Sequence, residues 1–274
     1  MSTIDTDTEL WVRRFHPAPE QPYRLVCLPH AGGTASAFFS FSQALAAHAD
    51  VLAIQYPGRQ DRRHEPPITV TEELVDAIHQ ALRPWADRPL VLFGHSMGAV
   101  LGFELARRME AESEPPLGLI VSGRRAPHMP RPDSVHTKGD DALIAEIQQL
   151  AGTDPGVLAD EEIVRMVLPA IRADFKAIET YRYRPDPGRD RALSCPLSVL
   201  TGESDPRVSL YEAREWREHT SGNFTFRSFP GGHFYLTPQQ DAVTRAIADD
   251  LAALGQERLG TAVGRPACGV VARQ

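Results

Sequence analysis

A chain of 274 residues is long enough to form one large α/β domain with a substantial core, and it leaves room for an inserted subdomain. Hydrophobic residues make up 42% and charged residues 24% of the chain, which is ordinary for a soluble globular protein. The net charge of −7 argues against nucleic acid as a general partner, and an acidic protein partner would need a local basic patch to dock.

The N-terminal segment MSTIDTDTEL is acidic and polar, so it lacks the basic and apolar regions of a secretory signal. The longest apolar stretch, residues 89–106, contains a histidine, a serine and a glutamate, and therefore predicts no membrane span. The three cysteines are scattered, without a C-x-x-C pair, and predict neither a disulfide nor a metal site. We expect a cytoplasmic protein without a metal or another cofactor.

Strand and helix patterns alternate along the first 123 residues. This alternation predicts a mostly parallel sheet with helices on both faces. Thr69 and Glu72 form a capping-box pattern at the start of one of the helices. The predicted strands lie at residues 10–15, 23–28, 51–56, 90–93 and 117–122, and the predicted helices at 34–48, 69–82 and 97–109.

The alternation stops between residues 124 and 184. This segment has a proline-rich beginning, an amphipathic helical pattern at 140–150 and a helical pattern at 161–181 that is interrupted at Pro169. An all-helical insertion in a β/α chain predicts a lid. The alternative is an ordinary packed subdomain without a gating role.

The β/α pattern returns after the insertion, with strands at 196–201 and 223–229 and a helix at 209–219. Thr237 and Pro238 are suited to the N-cap and first turn of a closing helix that runs to Leu254. We therefore assign residues 1–123 and 185–256 to the core and 124–184 to the lid, and we expect 257–274 to lack regular structure.

Residues 90–105, LVLFGHSMGAVLGFEL, combine a buried strand, a very sharp turn and a helix. A nucleophile at the apex of such a turn has a strained backbone, so Gly94 and Gly98, two residues before and after Ser96, must lack side chains. The pattern predicts a nucleophile elbow at Ser96. The alternative is a structural turn between strand and helix.

Polar residues also follow other predicted strands, and the carboxyl ends of parallel strands meet at one edge of a sheet. Ser96, Asp205 and His233 occur in the chain order of the α/β-hydrolase triad. A serine hydroxyl needs a base, for which His233 is suited, and the imidazole needs a carboxylate at its other nitrogen, for which we choose Asp205. Glu203 is close enough in sequence to be the acid instead.

The glycine-rich turn PHAGG at residues 29–33 follows the second predicted strand. In the hydrolase pattern, the backbone N–H of Met97 and one N–H from this turn, here Ala31, form the oxyanion hole. A plain tight turn is the alternative. The turn has neither the G-x-G-x-x-G pattern nor the Walker lysine, so nucleotide binding is not predicted.

These motifs together resemble the type II thioesterases of polyketide and nonribosomal peptide synthesis. The resemblance extends over about residues 23–254; GHSMG alone is common among hydrolases, whereas PHAGG with YPGR and GGHFYL is much more particular. The matching segments are PHAGG at 29–33, YPGR at 56–59, GHSMG at 94–98, G-x-x-D at 202–205 and GGHFYL at 231–236.

The resemblance implies an α/β-hydrolase fold with an inserted helical lid, a Ser96-Asp205-His233 triad, and Ala31 and Met97 as oxyanion donors. It also implies hydrolysis of acyl groups from the phosphopantetheine thiol of acyl or peptidyl carrier proteins, which would clear stalled or mis-primed synthase domains. One alternative is a small-molecule carboxylesterase of the same fold, and another is a non-catalytic ligand-binding member.

A basic segment follows the strand at 51–56, and another follows the strand at 117–122. We expect Arg59, Arg62 and Arg63, together with Arg124 and Arg125, to lie at the catalytic edge and to dock an acidic carrier protein and its phosphate. The alternative is that these arginines are solvated or pair with acidic residues of the same loop.

Overall fold

The computed structural model describes residues 10–150, 161–185 and 192–263. Seven strands form one sheet in the order β1-β3-β2-β4-β5-β6-β7. Every neighbouring pair is parallel except β1 and β3, so the prediction of a mostly parallel sheet is confirmed. The strands are β1 (Val12–Arg13), β2 (Arg24–Leu28), β3 (Asp50–Ile54), β4 (Leu90–His95), β5 (Gly118–Ser122), β6 (Leu197–Gly202) and β7 (Phe224–Phe229).

Helices cover both faces of this sheet. Successive residues of a strand point to opposite faces, and on β2 Val26 belongs to one hydrophobic cluster and Cys27 to the other. The helices are α1 (Phe39–Leu45), α2 (Thr71–Leu82), α3 (Met97–Ala111), α4 (Asp140–Leu150), α5 (Glu161–Thr180), α6 (Leu210–Arg214) and α7 (Gln240–Val263). The first cluster includes side chains of α2 and α3, and the second includes side chains of α1 and α7.

The insertion between β5 and β6 is helical, and residues 124–150 and 161–185 contain no strand. It has a small hydrophobic cluster of its own, formed by Val135, Leu143, Ile147, Val164, Leu168, Ile171 and Phe175. α5 continues through Pro169, so the predicted interruption of the helix there is wrong. In the described ranges, no helix is both long enough and apolar enough to cross a membrane.

The start of α2 differs from the prediction. The capping box at Thr69 and Glu72 is wrong, because α2 begins at Thr71 and its N-cap, Val70, makes no side-chain cap. A tertiary contact is made at this end instead, since the Thr71 hydroxyl donates to the carbonyl of Ala177 in α5 at 2.9 Å.

The closing helix is displaced at both ends. α7 begins at Gln240, three residues after the predicted N-cap, and runs to Val263 rather than Leu254. Residues 257–263, which we expected to lack regular structure, are therefore helical. The rest of the predicted tail, 264–274, lies outside the described residues.

Candidate active site

Ser96 lies at the turn between β4 and α3, with φ of 55° and ψ of −110°. A residue other than glycine rarely adopts a positive φ, so the backbone is strained at this position. A Cβ on Gly94 would lie 2.0 Å from the carbonyl oxygen of Gly98, and a Cβ on Gly98 would lie 2.0 Å from that of Leu28. The turn therefore requires Gly94 for the steric reason predicted from the sequence, whereas Gly98 is required by the close approach of the end of β2.

The structure brings the three predicted triad residues together. His233 Nε2 lies 3.0 Å from Ser96 Oγ, and His233 Nδ1 lies 2.9 Å from Asp205 Oδ2. The other oxygen of Asp205 accepts a hydrogen bond from the backbone N–H of Arg207 at 2.8 Å, which fixes the carboxylate. Glu203, the alternative acid, is exposed to solvent and does not contact the imidazole.

Two further histidines, His30 and His95, lie beside His233. Burial, followed by the charge of His233, lowers the pKa of His30 to about 3 and that of His95 well below its usual value. The His95 ring centroid lies 5.1 Å from that of His233, and its Nδ1 is 3.0 Å from the hydroxyl of Ser122. Neutral imidazoles therefore surround the base. Both residues occur in the predicted motifs, His30 in PHAGG and His95 in GHSMG. Their low pKa values could not be predicted from the sequence, because desolvation depends on tertiary packing.

Both predicted oxyanion donors line the cavity that contains Ser96 and His233. Met97 is the first residue of α3, so its N–H has no partner within the helix and lies at the positive end of the helix dipole, next to Ser96. The N–H of Gly32 is occupied by the Asp174 carboxylate at 2.7 Å. Within the PHAGG turn, Ala31 is therefore the better candidate.

The cavity lies between the sheet edge and the helical insertion. Leu150, Phe175 and Ile178 of the insertion form an apolar part of its wall, together with Val100 of the core. An acyl chain attached to Ser96 could pack against these side chains. The cavity thus combines a nucleophile with space lined by apolar groups, as an acyl-binding site requires.

Arginines form another part of the cavity wall, and Arg124 differs from its neighbours. Arg125 is buried and donates to the carbonyl of Met129 at 2.9 Å, and Arg207 pairs with Asp133 at 3.2 Å. Arg124 makes no side-chain hydrogen bond or ion pair to any residue in the described ranges. Burial, together with repulsion from Arg125, lowers its pKa to about 9.

Three of the arginines predicted to dock a partner are interior residues: Arg125, described above, and Arg59 and Arg62 in the loop after β3. Arg59 is 6% exposed and pairs with Asp174 of α5 at 2.8 Å. Arg62 is 4% exposed and donates to Glu65 and to the carbonyl of Gln55, both at 2.8 Å. The prediction that they belong to an exposed basic patch is therefore wrong, since a buried charge requires a partner inside the protein. In that segment, Arg63 is exposed.

Comparisons with known proteins are consistent with this geometry. The thioesterase domain family model matches residues 23–251. A probable cadicidin biosynthesis thioesterase of Streptomyces griseus is 51% identical over 92% of this chain and 68% of its own length. Thioesterase PikA5 of Streptomyces venezuelae is 49% identical over 90% of this chain and 88% of its own.

Solved structures of type II thioesterases are also similar to this chain. The type II thioesterase BorB from the borrelidin biosynthetic cluster has a TM-score of 0.82 and 48% identity, with coverage of 92% of this chain and 100% of BorB. YbtT, a type II thioesterase from the yersiniabactin pathway, has a TM-score of 0.77 and 31% identity, with coverage of 89% and 99%.

Proposed function

Because the chain belongs to the thioesterase family, we propose that this serine hydrolase releases acyl groups from the phosphopantetheine arm of acyl or peptidyl carrier proteins. The observation that carries the proposal is the hydrogen-bonded series Ser96, His233 and Asp205, which opens into a cavity partly walled by the insertion. The relatives in polyketide and nonribosomal peptide pathways support a synthase as the partner.

In the proposed mechanism, Ser96 Oγ attacks the thioester carbonyl while His233 Nε2 accepts its proton. Asp205 holds the imidazole in the required tautomer and stabilises the imidazolium. The N–H groups of Ala31 and Met97 stabilise the negative oxygen of the tetrahedral intermediate. Its collapse breaks the C–S bond, and His233 returns the proton to the departing thiol. Water then attacks the carbonyl of the acyl-enzyme while His233 accepts its proton. As the bond between this carbon and Ser96 Oγ breaks, His233 gives the proton to the serine oxygen and the free acid is released.

The test compares a panel of acyl-loaded carrier proteins with free esters that bear the same acyl groups. A carrier thioesterase should have a higher kcat/KM on the loaded carriers, whereas the alternative carboxylesterase should prefer the free esters. Labelling of Ser96 by a fluorophosphonate distinguishes both enzymes from a non-catalytic binding protein. Equal or lower kcat/KM on every loaded carrier would contradict the proposal.

A cytoplasmic location is also part of the proposal. Cys27 and Cys195 are free buried thiols, as suits a protein of a reducing compartment.

We propose that the insertion limits the length of the acyl chain. Replacing Leu150, which lines the cavity, by phenylalanine should lower kcat/KM for long over short acyl chains, by about tenfold for each 1.4 kcal/mol of lost contact. Ile144→Phe is a matched control, because Ile144 is also half-buried on α4 but packs against the hydrophobic cluster of the insertion. An unchanged chain-length ratio in Leu150→Phe would leave the insertion with a packing role only.

We propose that the exposed Arg63 contributes to docking of the carrier protein. Arg124, which lines the cavity, would bind the phosphopantetheine arm. Arg63→Glu should raise KM for an acyl-carrier substrate, and more so at low salt, because exposed charges are screened over about 8 Å at physiological ionic strength. Arg124→Gln should raise KM for acyl-carrier and acyl-pantetheine substrates alike. Neither change should affect a short nitrophenyl ester, and equal losses on that ester would contradict a docking role.

A further inference from the structure

The PHAGG turn is held by a charged pair that the triad mechanism does not use. Asp174 of α5 accepts hydrogen bonds from the N–H of Gly32 at 2.7 Å and from both terminal nitrogens of Arg59 at 2.8 Å. Arg59 also donates to the carbonyl of Gly33 at 2.9 Å. The pair therefore binds backbone groups of two successive residues in the turn that carries Ala31.

The geometry of the turn determines where the Ala31 N–H points. The N–H of Gly33 donates to the carbonyl of His30 at 2.8 Å, and that carbonyl belongs to the same peptide unit as the Ala31 N–H. The two groups of a trans peptide point in opposite directions, so a carbonyl held inside the turn directs the Ala31 N–H outward. Gly32 has a φ of 78°, which suits the third position of a type II turn.

The same face of α5 also packs on the turn. A Cβ on Gly32 would lie 2.9 Å from Cγ1 of Ile171, which is three residues before Asp174 on the helix. Ala31 packs against the hydrophobic cluster of the insertion to which Ile171 belongs. One turn further along α5, Phe175 and Ile178 line the cavity. The helix that lines the acyl site thus also contacts the oxyanion turn.

The charged pair lies in the interior, with Arg59 6% and Asp174 1% exposed. Burial alone would lower the pKa of Arg59, but the Asp174 carboxylate outweighs this effect and raises that pKa above its usual value. Arg59 also packs over the ring of Tyr56, whose hydroxyl donates to the carbonyl of Pro29 at 3.1 Å. The contact with Tyr56 therefore also fixes the Arg59–Asp174 pair on the side that faces the core.

We propose that Arg59 and Asp174 are positioning residues that hold the oxyanion turn, so that the place of the lid helix α5 sets the orientation of the Ala31 N–H. The inference rests on the proposed function, because it takes Ala31 as an oxyanion donor. It adds that oxyanion stabilisation requires α5 to be docked on the turn.

The test is Asp174→Asn, which keeps the shape of the side chain but replaces one acceptor oxygen by an NH₂ group. Displacement of a transition-state donor should lower kcat on a nitrophenyl ester by about 10²-fold while KM changes by less than about threefold. A long-chain alkyl trifluoromethyl ketone provides a second measurement. Ser96 Oγ bonds to its carbonyl carbon, the π electrons become an alkoxide, and the proton passes to His233. Its Ki should rise by about the same factor as kcat falls.

Arg62→Gln is the matched control, because Arg62 is an equally buried arginine of the same loop that pairs with Glu65 and not with α5. It should lower Tm without a comparable loss of kcat or Ki. Arg59→Lys keeps the charge but not the two-nitrogen contact, and it provides the same measurements if Asp174→Asn does not fold. The Arg59→Gln and Asp174→Asn double variant should lose no more kcat than Asp174→Asn, because the two residues act as one unit.

Two outcomes would overturn the inference. One is that Asp174→Asn lowers kcat no more than Arg62→Gln does when the two variants lose a similar amount of Tm. The other is that the Ki of Asp174→Asn for the ketone is unchanged. Ser96→Ala, measured alongside, separates the two proposals. If Ser96→Ala is still active, the proposed function fails; if it is inactive and Asp174→Asn behaves as Arg62→Gln does, only the positioning role fails.

Discussion

Ser96→Ala and His233→Ala are each expected to lower kcat by about 10⁶, because removal of either the nucleophile or its base leaves only binding and oxyanion stabilisation. The 3.0 Å contact between His233 Nε2 and Ser96 Oγ makes them one functional unit. The double variant should therefore be little slower than either single variant. Rates on an acyl-carrier thioester and on a nitrophenyl ester would measure this.

His48→Ala is a suitable control, since His48 is exposed, lies three residues after the end of α1 and does not line the cavity. It should retain the full rate. If Ser96→Ala kept more than about a tenth of the activity, another nucleophile would have to carry the reaction, and the triad assignment would be lost. Additive losses in the double variant would show that the two side chains act independently.

Asp205→Asn is expected to lower kcat by about 10⁴ with little change in fold. The oxygen of the substituted amide could still accept the N–H of Arg207, which now donates to Asp205 Oδ1 at 2.8 Å. The NH₂ group of that amide would then face His233 Nδ1 and donate to it. The imidazole would carry its proton on Nε2, where it could not accept the proton of Ser96.

Glu203→Gln tests the alternative acid that the sequence left open. Glu203 is exposed and its contact is with the hydroxyl of Ser228 at 3.4 Å, so its replacement should leave kcat unchanged. A larger loss in Glu203→Gln than in Asp205→Asn would reverse the assignment. Thermal unfolding of both variants would show whether a loss of rate follows from a loss of fold.

The sequence alone determined the features that depend on neighbouring residues. The elbow at Ser96 could be predicted because the tight turn itself excludes a Cβ at Gly94, which would collide with the carbonyl of Gly98. The restriction at Gly98 comes instead from the carbonyl of Leu28 at the end of β2. The alternation of strands and helices predicted the parallel sheet, and the parallel sheet implied that the ends of β4, β6 and β7 lie at one edge.

The tertiary structure alone decided which charges and polar groups meet. Arg59 looked like a surface residue in a basic loop, but its partner Asp174 lies 115 residues away on the insertion, and no local pattern encodes that distance. The low pKa of His30 likewise depends on burial, which is a property of the packed site. The steric limits within a turn act between near neighbours in sequence, whereas long-range hydrogen bonds, desolvation and charge pairing depend on which segments the fold brings together.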